Sequence, residues 1–240
     1  LLFFIIYTSM TADKRKYGFR RAFTLRPHLL KGMLSISGWT MVQSFISVSI
    51  WFIFFLAIEH LGERPLAVTN IVRNISALLI MVISAFATTA GALISNQIGA
   101  GEQRCLFKTC GMTLKLTYAI LIPLLIILCL FPESVLRAFT DSPSLIAASV
   151  NSVYVMASST LIMAPSFILF NAVSGTGNTR AGFIMEMISL AVYTAVIYYG
   201  IIRLKPDVAL CWFSEHVYGV TLIFLAWWYL KSGKWRGKKV

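Results

Sequence analysis

Six stretches of the chain, residues 33–58, 75–94, 114–131, 145–170, 181–202 and 208–230, are each long and apolar enough to cross a bilayer. Bridging roughly 30 Å of hydrocarbon takes about 20 mostly apolar residues in a helix, and every stretch is close to that length or above it. Lipid offers backbone N–H and C=O groups no partner, so each segment must satisfy them internally, as helix. The composition agrees: 58% of residues are hydrophobic and 12% are charged. The chain therefore predicts an all-α integral membrane protein, a six-transmembrane-helix bundle with short connections. Too little sequence remains for a soluble domain of ordinary size.

The net charge of +12 invites a nucleic-acid reading, but the placement of the charges speaks against it. Lys14, Arg15, Lys16, Arg20, Arg21, Arg26 and Lys31 precede the first span, and Lys231, Lys234, Arg236, Lys238 and Lys239 follow the last. With the start cytoplasmic, Arg104, Lys108 and Arg180 fall on the same side, so that fifteen of the 21 basic residues share one face of the membrane. The opposite connections, 59–74, 132–144 and 203–207, hold Arg64, Arg73, Arg137, Arg203 and Lys205. This asymmetry is what the positive-inside rule describes. It predicts both termini in the cytoplasm, basic tails that touch anionic membrane lipid, and no nucleic-acid partner.

Cys105, Cys110, Cys129 and Cys211 form no CxxC pair and have no histidine at ligand spacing. They read as reduced, structural thiols, with no metal implied. Residues 1–10 are an apolar run too short to span, with no initiating Met and no basic segment ahead of it. They read as the tail of a preceding transmembrane helix, and the chain as part of something larger. The expected organisation is that tail, a basic cytoplasmic linker over 11–32, a six-helix lobe over 33–230 and a basic cytoplasmic tail over 231–240.

Pro123 and Pro165 fall inside the third and fourth spans, where each removes a helical hydrogen bond and kinks the helix, for packing or as a hinge. Ala87, Gly91, Ser95 and Gly99 repeat every four residues along the second span, with Thr88, Ala92 and Asn96 beside them. Such a face either admits a close neighbouring helix or walls a polar cavity. Glycines punctuate the turns after the second span (Gly99, Gly101) and after the fourth (Gly175, Gly177).

These turns carry a resemblance. Gln97-Ile-Gly-Ala-Gly101, Gly175-Thr-Gly-Asn-Thr-Arg180 and Leu136-Arg-Ala-Phe-Thr-Asp141 stand in register over about 200 residues, from Arg26 to Trp235. In this the chain resembles the C-terminal half of a bacterial multidrug and toxic compound extrusion (MATE) transporter. The resemblance implies a twelve-helix protein of two six-helix lobes, of which the N-terminal lobe would be the partner of this one. It implies no enzymatic activity and no cofactor. The implied function is efflux of organic, often cationic, small molecules from the cytoplasm in exchange for Na⁺ or H⁺, across a bacterial inner membrane. Many members carry acids in the first and fourth helices of this lobe; the matching positions here are Ser47 and Met163. This is a departure from the family pattern, and it makes Ser47 a candidate for the cavity wall.

Charged groups within a span are costly and are by default functional. Glu186 in the fifth span and Glu215 in the sixth are the candidates for ion coupling. Gln43 and Asn171 offer neutral hydrogen bonding within spans and are candidates for a substrate cavity. Trp51, with Phe52, Phe54 and Phe55, either stacks on a flat organic cation or faces lipid. Glu59 and His60 read as interfacial, and Arg73 and Asn74 as the start of the second span. Two other functions compete. A lipid-linked oligosaccharide flippase would need a strongly cationic cavity, and the spans hold almost no Lys or Arg. A membrane-embedded enzyme would need a catalytic cluster, whereas His28, His60 and His216 stand in unrelated places. A non-transporting membrane fragment is the remaining alternative.

Overall fold

The computed structural model describes residues 27–236. The expected helix tail over 1–10, the linker up to 26 and the tail beyond 236 lie outside the described residues. Packing divides the chain into two units, residues 1–38 and 39–240. In the first, only the start of a helix, from Pro27, is described; the packing and the site below concern the second.

The elements run in the order α1 (Pro27–Glu59), α2 (Glu63–Gly99), α3 (Leu106–Leu130), α4 (Pro132–Leu136), α5 (Pro143–Gly175), α6 (Thr179–Val196), α7 (Val208–Cys211) and α8 (Ser214–Ser232). A single 3₁₀ turn, Gln103–Cys105, precedes α3, and α6 continues into a π-helical segment, Ile197–Arg203. Among the described residues, six helical segments are long and apolar enough to cross a membrane, as expected. Proline occupies the first turn of α4 and of α5, where its missing N–H costs nothing. Asn178 caps α6 by accepting from the Ala181 N–H at 3.3 Å, and Asp207 accepts from Val208 at the start of α7. Gly233, at φ +68°, ends α8 in the left-handed conformation, which glycine adopts without a Cβ penalty.

Several boundaries differ from expectation. The helix of the first span already begins at Pro27, inside the stretch read as linker. α2 begins at Glu63, so the expected 59–74 connection shrinks to a tight turn through His60, Leu61 and Gly62. Glu63, Arg64 and Arg73 end the apolar window but not the helix, because charged side chains are good helix formers once they reach the interface. Arg73 and Asn74 are thus well inside α2, and the Arg73 guanidinium stacks on Phe55, 5.0 Å from the ring centre. The sixth span is broken at Trp212 and Phe213, between α7 and α8. The last turn folds back: Trp235 is buried and its indole N–H donates to the Leu230 carbonyl at 2.9 Å.

α2 and α5 share the most extensive packing in the lobe. Ile83, Leu121, Leu125, Val153, Met156 and Trp212 form one core around them. Ala87, Ile94, Ile168, Ala172 and Leu222 form a second. Pro165 cannot donate to the Leu161 carbonyl one turn earlier. That carbonyl instead accepts from the Tyr118 hydroxyl of α3 at 2.8 Å, so the break in the α5 ladder is satisfied from a neighbouring helix. Phe45, Met81, Leu130 and Trp228 are more than half exposed, the apolar outer surface that a membrane helix presents to lipid.

The small-residue stripe of α2 divides. Ala87 is fully buried, and Gly91 lies against the α5 backbone. A Cβ on Gly91 would meet the Asn171 carbonyl oxygen at 2.9 Å, and one on Gly175 would meet the Gly91 carbonyl oxygen at 2.5 Å. Ser95 and Gly99 are exposed, while Thr88 turns to a cavity. Close packing and cavity wall are each right for part of the stripe. Of the four glycines assigned to turns, Gly99 and Gly175 are the last helical residues of α2 and α5, at the entry to each turn. The left-handed positions that make the turns are Gly101 (φ +82°) and Gly177 (φ +79°).

Candidate functional site

The interior faces of α1, α2, α5, α6 and α8 surround a cavity of about 320 Å³. α1 contributes Ser47 and Trp51, and α2 contributes Ile80, Ser84 and Thr88. α5 adds Met163, Phe167, Phe170 and Asn171. From α6 come Glu186, Leu190 and Tyr193, and from α8 Glu215, Tyr218 and Leu222. Both charged residues of this lining are glutamates, and five of its members are aromatic.

Glu186 is 4% exposed and Glu215 7%, yet each is held by hydroxyl donors. Glu186 Oε1 accepts from Ser47 Oγ at 2.9 Å, and the Tyr218 hydroxyl lies 2.9 Å from Oε1 and 3.1 Å from Oε2. Glu215 Oε1 accepts from the Tyr193 hydroxyl at 2.7 Å. The pairing is reciprocal: each glutamate takes its tyrosine from the other helix. Helical spacing sets this up. Tyr193 stands two turns beyond Glu186 on α6, and Tyr218 stands three residues beyond Glu215 on α8, so each helix carries its acid and its phenol on one face. The two phenol rings meet edge to face, with centres 5.8 Å apart. Ser47 Oγ is also 3.0 Å from the carbonyl oxygen of Gln43, one turn earlier. Such neutral donors stabilise a buried carboxylate, but they do not cancel its charge.

The sequence candidates are distributed unevenly. Ser47, Trp51, Asn171, Glu186 and Glu215 line this one cavity. Gln43 does not: it sits a turn before Ser47, where the wall has not yet begun, and only its carbonyl reaches the site, through Ser47. Of the aromatic group on α1, only Trp51 lines the cavity. Phe54 is buried in a third core against Tyr193 and Trp212, Phe52 is 65% exposed, and Phe55 lies beneath Arg73. Ser189, the hydroxyl expected nearest to Glu186 along its own helix, is buried without a hydrogen-bond partner. The partners come from other helices. Tyr193, Tyr218, Phe167 and Phe170 escaped the sequence reading; the helical spacing of each tyrosine from its glutamate was the available signal. Ser47 and Met163, the positions where the family pattern would place acids, both line the cavity. The carboxylates arrive there from α6 and α8 instead.

Among the described residues no group of three or more His, Cys, Asp and Glu side chains is placed to hold a metal ion.

Comparison with known proteins places these observations. The family profile described as MatE matches residues 40–199. A Vibrio cholerae MATE transporter, VcmN, solved in a bent form, superposes with a TM-score of 0.78 at 15% identity, over 87% of this chain and 48% of its own. The outward-facing conformation of a multidrug resistance MATE family transporter of the MOP superfamily superposes at 0.75, with 14% identity, over 85% of this chain and 46% of its own. A MOP superfamily transporter from Pyrococcus furiosus gives 0.73 at 14% identity, over 83% of this chain and 44% of its own; its binding pocket is described as having a reverse polarity that suggests a different function. At such identities the likeness is one of fold. The chain spans a little under half the length of each. A comparison with curated proteins gave no match.

Proposed function

This chain belongs to the MatE family and has the six-helix fold of one lobe of such transporters, and from that premise we propose that it forms the C-terminal lobe of a secondary active exporter. The exporter expels organic cations in antiport with Na⁺ or H⁺, and its transport cycle needs the N-terminal lobe as partner. Both termini lie in the cytoplasm, and the membrane is a bacterial inner membrane.

One observation carries the reading: a cavity lined by five helices, whose charged members are Glu186 and Glu215 and whose walls include Trp51, Phe167, Phe170, Tyr193 and Tyr218. Carboxylates buried in a low-dielectric site attract a cation far more strongly than exposed ones do. Aromatic faces add cation–π attraction for flat, delocalised cations. A substrate cation and a coupling cation then compete for the same negative charge, and with a site that opens to each side in turn such mutually exclusive binding couples their movements. A cavity built to hold the pyrophosphate of a lipid-linked sugar would present the opposite charge.

The test is ethidium efflux from inverted vesicles or proteoliposomes carrying the intact protein. Glu186→Gln keeps size and hydrogen-bonding capacity while removing charge. It is expected to abolish ion-driven efflux with expression and detergent stability close to wild type. Efflux at the wild-type rate by this variant would falsify the assignment.

A further inference from the structure

The two glutamates of the cavity are not equivalently held. Ser47 Oγ lies 2.9 Å from Glu186 Oε1 and 3.0 Å from the Gln43 carbonyl oxygen. A serine hydroxyl has one proton and two lone pairs, so it can donate to one of these oxygens at a time. With Glu186 ionised, Ser47 donates to the carboxylate, and Tyr218 donates beside it. With Glu186 protonated, the new O–H needs an acceptor, and Ser47 becomes one by turning its own proton to Gln43. The i−4 bond it then makes is an ordinary one for serine in a helix. Glu186 is therefore hydrogen-bonded in both charge states without movement of any heavy atom, and neither its carboxyl nor the Ser47 hydroxyl is orphaned in either.

We propose that Ser47 is the positioning residue that makes Glu186 a proton-exchanging group, its hydroxyl reversing between donor and acceptor as the carboxyl loses and gains a proton. The proposal rests on the reading of Glu186 as the coupling site, and selects H⁺ from the two ions that reading allows. One proton is taken up when the hydroxyl turns to Gln43 and one is released when it turns back, and no bond between heavy atoms forms or breaks. The ionisable groups sharing the cavity with Glu186 are Tyr193 on its own helix and Glu215 and Tyr218 on α8; α1, α2 and α5 contribute none. A proton leaves this pair fully hydrogen-bonded with no further group, whereas a bound Na⁺ needs several oxygens converging on it; the hydroxyls within 3.1 Å of the Glu186 carboxyl are those of Ser47 and Tyr218.

The test uses the intact transporter in proteoliposomes loaded with ethidium, driven by an imposed pH gradient or by an imposed Na⁺ gradient. The pH gradient is expected to drive efflux and the Na⁺ gradient alone is not. Ser47→Ala should lower pH-driven efflux about tenfold, the effect of one charge-assisted hydrogen bond, and Ser47→Thr, which keeps the hydroxyl, should recover most of it. Ser47→Cys replaces the hydroxyl with a slightly larger and much weaker donor and should resemble alanine. Infrared difference spectra on acidification provide a readout that mere packing would not move. Glu186 should give a protonated-carboxyl band that Glu186→Gln lacks, that Ser47→Ala moves to higher frequency and that Ser47→Thr restores. Wild-type efflux and an unmoved band in Ser47→Ala would overturn the role of Ser47 while leaving Glu186 as the coupling site. Efflux driven by Na⁺ but not by the pH gradient would overturn the proton assignment. Wild-type efflux in Glu186→Gln would remove the underlying reading itself.

Discussion

Tyr193 on α6 donates its hydroxyl to Glu215 on α8 across 2.7 Å, and this bond ties the fifth span to the sixth beside the break at Trp212 and Phe213. Both side chains are almost wholly buried. Tyr193→Phe leaves the carboxylate short of a donor and should cost about 0.5–2 kcal/mol, the range for hydrogen bonds within membrane helices and at buried charges. Thermal unfolding in detergent checks this. In the Glu215→Gln background the same substitution should cost measurably less, because residues in contact couple; equal costs in both backgrounds would contradict the bond.

Glycine substitutions should separate by what each Cβ meets. Gly175→Ala drives a methyl into the Gly91 carbonyl, and Gly91→Ala into that of Asn171; each should destabilise by about 1–3 kcal/mol, as overpacking does. Gly219→Ala meets the Ile162 Cγ2 methyl at 2.9 Å and the Met163 sulfur at 3.7 Å; side chains yield more readily than a backbone carbonyl, so its cost should be smaller. Gly99→Ala meets nothing and is helical; it should be neutral or stabilise by up to about 1 kcal/mol. A similar loss at Gly99 and at Gly175 would remove the distinction drawn between them.

The rescue of the Leu161 carbonyl by Tyr118 predicts a conditional effect. Tyr118→Phe should cost about 1 kcal/mol in the native chain. With Pro165→Ala also present, the carbonyl regains its helical N–H partner, and the tyrosine hydroxyl should matter little. The melting temperatures of the four proteins in this cycle decide it.

Orientation is testable by thiol labelling in a cysteine-free background. Ser144 and Arg180 are exposed, in the first turns of α5 and α6, at opposite ends of α5. With both termini cytoplasmic, Ser144→Cys should react with a membrane-impermeant reagent added from outside, and Arg180→Cys only after the membrane is opened. The reverse pattern would invert the assigned topology.

The six spans were legible in the sequence because helix in lipid is a local necessity: each segment must satisfy its own backbone whatever surrounds it. The cost of Glu186 and Glu215 was legible for the same reason, since burying a charge in a span is expensive in any packing. Helix bounds were less so. Glu63, Arg64 and Arg73 end the apolar window of α2, yet the helix passes through them, as its interfacial turns are free to do. The partners of Glu186 were beyond reach. α1, α5 and α8 are apolar around most of their circumference, so their sequences do not specify which stripe faces inward. Only the rotation fixed by packing brings Ser47 and Tyr218 to one carboxylate and Tyr193 to the other. The same holds for Gly175, whose place at the end of the apolar fourth span suggests a turn. Its contact with Gly91 is a property of two helices together, and no single segment contains it.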